Sequence, residues 1–71
     1  MVDSKELAIR FTFHPVHGDQ AQRYEQLRAA AGNFAALIVK LTPESREQSL
    51  ALTALEGANL WANAAIARRE E

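Results

Sequence analysis

Few side chains in this sequence could do chemistry. His14 and His17 of the run His14-Pro15-Val16-His17 stand three positions apart, a spacing that on a helix would turn two imidazoles toward one metal. Pro15 breaks any such alignment, the 71 residues hold no cysteine, and no carboxylate triad surrounds the pair, so no metal site is expected. Ser4, Ser45 and Ser49 fall at capping or solvent-facing positions with no base to activate them. Three isolated glycines make no phosphate-cradling loop. The expectation is a chain with no catalytic site and no cofactor. Two features are left. Arg28 lies at the edge of an apolar seam, one turn beyond Tyr24. Its planar fork suits an anionic ligand, and the plainer alternative is a snorkelling side chain paired with Glu25. Phe11 and Phe13 are the second feature, two large rings in a segment too short to build its own core.

The elements that would position these groups follow from spacing. Leu7, Ile9, Phe11 and Phe13 alternate with other residues, which predicts a short strand or extended arm with one apolar face, stopped by Pro15. On that pattern alone both rings would pack the arm down. Gly18 loosens a turn, and Asp19 with Gln22 forms a capping box that opens the first helix. Tyr24, Leu27, Ala31, Phe34, Ile38 and Leu41 then recur at alternating intervals of 3 and 4, the seam of a helix packed on a partner. Thr42 as N-cap and Pro43 as first helical residue would open the second helix, which runs to Arg68 or Arg69.

The second helix carries two stripes. Leu52, Leu55, Asn59, Ala62 and Ile66 form one, and Ala51, Ala54, Ala58, Trp61 and Ala65 lie beside it. A direct link at Thr42 makes the pair an antiparallel hairpin with a single inner face, so the other stripe needs a second chain. Asn59 suits a residue that fixes register or oligomer state, and Trp61 an interface anchor. The expected fold is all-α: one hairpin domain over 1–71, with an extended arm (1–18), helix one (19–41) and helix two (43–69), assembling into a homo-oligomer. Size and composition agree. A chain this short buries little, much of its 48% apolar content is alanine, and no disulfide can staple it. The net charge of −1 argues against polynucleotide binding, and no apolar run is long enough to span a membrane. Cytoplasm is the expected address.

The arm "FTFHP", the helix start "GDQAQRYEQLRAAAGNFAALI", the link "LTPESREQSLALTALEGA" and the ending "LWANAAIAR" together resemble small phage proteins that carry the hairpin domain shared by anti-CBASS and anti-Thoeris nucleotide sponges. "SREQSLALT" and "WANAAIAR" are the most telling blocks. The resemblance implies a hexamer of hairpins that sequesters cyclic di- and trinucleotide immune signals without cleaving them, in the host cytoplasm. It also implies that dinucleotides lie between two protomers, the bases stacked on an aromatic residue of the arm and the phosphates held by a basic residue of helix one. Family spacing puts these at Phe13 and Arg28, where better-known members have tyrosine and lysine. Thr12 and His14 become polar neighbours of the stacked base, leaving Phe11 to anchor the arm by burial. A separate trinucleotide pocket in the family uses an arginine near the end of helix two. That position is Ala65 here, and the role is carried to Arg68, about one turn later. A structural or protein-binding oligomer without a nucleotide ligand is the competing expectation.

Overall fold

A computed structural model describes residues 2–70. Three helices follow one another, α1 (Ser4–Phe11), α2 (Gln20–Leu41) and α3 (Arg46–Arg69), and no strand occurs among the described residues. The extended arm expected over Leu7–Phe13 is instead largely helical. Asp3 explains the difference. It is the N-cap of α1, accepting from the Glu6 N–H at 2.8 Å, and Glu6 then pairs with Arg10 one turn on. A cap and an i,i+4 pair outweigh four alternating apolar residues. The extended geometry survives only after the helix, from Thr12 (φ −104°, ψ 143°), before Pro15.

α2 begins and ends close to expectation, but its start uses other chemistry. Asp19 makes no side-chain capping bond, and its backbone (φ −91°, ψ 12°) lies outside the extended region that a cap requires. Its carboxylate is held by Arg23 Nε at 3.1 Å instead. Gly18 makes the bend into α2 at φ 59°, where a side chain would be strained.

The link between the long helices also departs from the expected start at Pro43. Thr42 closes α2 as its C-cap, its N–H and hydroxyl both reaching the Ile38 carbonyl, at 3.1 and 2.6 Å. Ser45 is the N-cap of α3, in extended geometry (φ −170°, ψ 170°), and accepts from the Gln48 N–H at 3.1 Å. Gln48 reaches back to the Thr42 carbonyl and hydroxyl, at 3.2 and 3.0 Å. Pro43 holds Thr42 extended and so belongs to the link rather than the helix.

α2 and α3 pack on each other over the expected seam. Tyr24, Leu27, Ala31 and Ile38 are half-buried against Leu52, Leu55, Asn59, Ala62 and Ile66, whereas Phe34 and Leu41 stay exposed. In the second stripe of α3, Ala54, Ala58, Trp61 and Ala65 are all exposed, Trp61 at 71%. No apolar residue among those described is fully buried. The Cα envelope measures 45 × 31 × 13 Å, a single layer of helices. Its radius of gyration is 15.4 Å, against about 11 Å for a compact domain of this length.

Candidate functional site

The link end of the helix pair is closed by neutral hydrogen bonds. The opposite end gathers Glu6, Arg10, Arg23, Arg69 and Glu70 beside the rings of Phe11 and Trp61. Arg69, in the last turn of α3, grips the Glu6 carboxylate with both terminal nitrogens, at 3.0 and 2.9 Å, and Arg10 Nε adds a contact of 2.7 Å to the same group. Those two guanidinia, Arg69 foremost, hold the Glu6 carboxyl down from 4.5 to about 2. Glu70 does the same for α2: Arg23 grips it bidentately at 2.6 Å through each nitrogen, and Gln20 Nε2 donates at 3.1 Å. Its carboxyl is also held down to about 2, by Arg23 first and Gln20 second. Arg69 and Arg23 are raised in turn by the carboxylates they hold.

Gln20 is the one buried residue among those described, 3% exposed. Burial of an amide requires partners for both ends, and Gln20 has them. Its Oε1 accepts from the His17 N–H at 3.3 Å, and its Nε2 reaches the Ile66 carbonyl at 3.4 Å as well as Glu70. The beginning of α2, the segment before it and the end of α3 are thus joined.

Phe13, just after α1, is 85% exposed, and Thr12 beside it is exposed too. His14 is half-buried, its Nε2 2.7 Å from the Ile9 carbonyl. A carbonyl can only accept, so Nε2 carries the proton and donates back into α1. Phe11 was expected to be buried and is 83% exposed; on α1 it stands at the mouth of a groove rather than beneath the chain. That groove runs between α1 and α3 and combines Phe11 and Trp61 with Arg10, Arg68 and Arg69.

Arg28 is exposed on α2 and bonded to Glu25, the partner the plainer reading of its sequence context expected. A second groove, between α2 and α3, unites Arg28 with Arg68, Tyr24 and Asn63. The two arginines expected to serve separate pockets therefore share one groove in the single chain, and Arg68 also reaches the groove beside α1. Phe13, Thr12 and His14 do not line it. The side-chain oxygens of Asn59 and Asn63 are buried with no hydrogen-bond partner within the chain. No group of three metal-binding side chains occurs among the described residues.

Sequence reasoning missed Glu6, Arg10, Gln20, Arg69 and Glu70. Glu6 and Arg10 carry a helical signal, the i,i+4 charge pair. The Glu6–Arg69 and Arg23–Glu70 contacts join residues 63 and 47 apart, a distance that leaves no local signature.

The profile of the family described as "Acb2/Tad1, hairpin domain" matches residues 3–67. The chain belongs to this anti-CBASS/anti-Thoeris sponge family. No curated protein and no solved structure matches it. The family is one of sequestering proteins rather than enzymes. Among the described residues no helix is long and apolar enough to cross a membrane.

Proposed function

We propose that this protein is a phage anti-defence sponge that binds cyclic oligonucleotide immune signals and holds them without cleavage in the host cytoplasm. Family membership across residues 3–67 carries the reading. The geometry adds chemistry suited to such a ligand. An exposed ring at Phe13 offers a stacking face, with Thr12 and His14 as its polar neighbours. Arg28 and Arg68, in one groove, offer charged donors to phosphate. A cyclic dinucleotide has only two phosphates, so a protein of net charge −1 is no obstacle to it.

The working unit is a single antiparallel hairpin domain in a homo-oligomer, a hexamer in the family pattern, with dinucleotides between protomers. Three observations support assembly: no apolar side chain among the described residues is fully buried, Trp61 is exposed with Ala54, Ala58 and Ala65 of its stripe, and the Asn59 and Asn63 oxygens lack donors. Phe13 does not line the grooves described for Arg28, which fits a ligand held by the arm of one protomer and the helix of another. Sequestration without turnover needs high affinity and high copy number.

Calorimetry of the purified protein against cyclic di- and trinucleotides tests the reading, followed by recovery of the ligand after heat release. Heat evolved and intact ligand recovered are the expected results. No heat with any of them sinks the sponge reading and leaves the ligand-free oligomer.

A further inference from the structure

The family match ends at residue 67, and Arg69, which ties α1 to α3, and Glu70, which ties the end of α3 to the start of α2, lie beyond it. Arg69 holds Glu6 of α1, and Glu70 holds Arg23 and Gln20 at the start of α2. Among the described residues, Glu6–Arg69 is the one hydrogen-bonded link from α1 to the long helices. The segment 12–19 runs between these two fastenings. On one side the His14 ring bonds the Ile9 carbonyl and ties the segment to α1. On the other, the His17 N–H bonds Gln20, which bonds Glu70. Phe13 lies inside the loop so formed.

We propose that Arg69 and Glu70 are positioning residues that set the arm, and with it the Phe13 ring, in place for ligand. The inference rests on the reading of Phe13 as the stacking residue. Neither Arg69 nor Glu70 needs to touch the nucleotide. A ring on an unfastened arm would occupy its binding position only part of the time, and apparent affinity falls by that fraction. Each ion pair is solvent-exposed and weak alone. Bidentate geometry gives them direction, and two adjacent residues fasten both ends of one short segment. Arg69 and Glu70 lie outside the matched residues 3–67.

The test uses the full chain, the double variant R69Q/E70Q and the charge swap E6R/R69E. In the swap the carboxylate moves to α3, where it would face the guanidinium introduced on α1 and the native Arg10. The α1 link then re-forms with its polarity reversed. Hydrogen exchange should show the amides of α1 and of His17 opening about tenfold more often in R69Q/E70Q, with those of the α2–α3 seam unchanged. Titration with cyclic di-AMP and with 3′,3′-cyclic GMP–AMP should show weaker binding in R69Q/E70Q, by up to about tenfold, as the fraction of molecules with a fastened arm falls. The swap should recover α1 protection and most of the affinity, at unchanged oligomeric state. Equal arm exchange in R69Q/E70Q and wild type overturns the inference alone, as does a loosened arm with undiminished affinity. A wild-type chain that binds neither dinucleotide overturns the sponge reading, and the ligand role of the fastening falls with it.

Discussion

The two ends of the helix pair are built from different material. At the link end, Thr42, Ser45 and Gln48 close both helices with neutral hydrogen bonds between residues no more than six apart. At the other end, Glu6, Arg23, Arg69 and Glu70 bring together segments up to 63 residues apart through charge. The first arrangement is local and rigid by covalent proximity. The second is assembled from distant pieces that no local sequence holds together. The exposed rings of Phe11, Phe13 and Trp61 and the groove-lining Arg68 and Arg69 sit at the second end. Local caps close the link end, and the groups suited to a ligand lie at the end held by long-range ion pairs.

The sharpest break of this contrast is Phe13→Ala. Loss of one stacking face is worth about 1–3 kcal/mol, so dinucleotide affinity should fall by about five- to 150-fold in calorimetry. Because the ring is 85% exposed, the melting temperature should hardly move. A large drop in melting temperature with intact binding would instead make Phe13 a packing residue between protomers. Gly18→Ala comes next. An alanine at φ 59° costs about 1–2 kcal/mol, and no neighbouring atom within 4 Å obstructs its Cβ, so the loss seen in chemical denaturation is backbone strain alone. The bend it distorts leads from the arm into α2, so affinity should weaken with stability. Ser45→Ala is the matched change at the link end. Losing an N-cap costs about 1 kcal/mol in stability, with dinucleotide affinity unchanged. If Ser45→Ala weakened binding as much as Gly18→Ala, the division of labour between the ends would fail.

The same contrast explains what the sequence made legible. The seam of α2 and α3 was readable because each helix repeats its apolar residues at 3 and 4 spacing over five or six positions, and the exposed Trp61 stripe because its spacing leaves it off that seam. The start of α3 was misplaced by three residues, since Thr42-Pro43 and Ser45-x-x-Gln48 are competing start signals and only the fold shows which cap is used. The alternating Leu7, Ile9, Phe11 and Phe13 mask a helix whose signal lies in the cap at Asp3. In the candidate site, Phe13 and Arg28 came from resemblance, and their exposure could not be read from spacing. The exposure of Phe11 depends on where α1 lies, and the contact of α1 with Arg69, 63 residues from Glu6, leaves no local signature.

Acid should separate the two ends most finely, with the smallest effect of the four. Glu6 and Glu70 both have folded values near 2 against an ordinary 4.5. A carboxylate depressed in the folded state contributes stability that is fully present above the ordinary value and is lost as pH falls through the folded one. The window is therefore pH 4.5 to 2. Across it the links to Arg69 and Arg23 should weaken, while the Thr42, Ser45 and Gln48 bonds contain no titrating group. In proton-resonance titrations at high dilution, α1 and His17 signals should move toward disordered values within that window, and the Gln48 amide should hold its place. Concentrated salt at neutral pH should produce a weaker version of the same change, because both ion pairs are exposed to solvent and screened. Loss of Gln48 protection together with α1 would mean that the ends unfold as one unit, and the arm could not then be released while the seam stays closed.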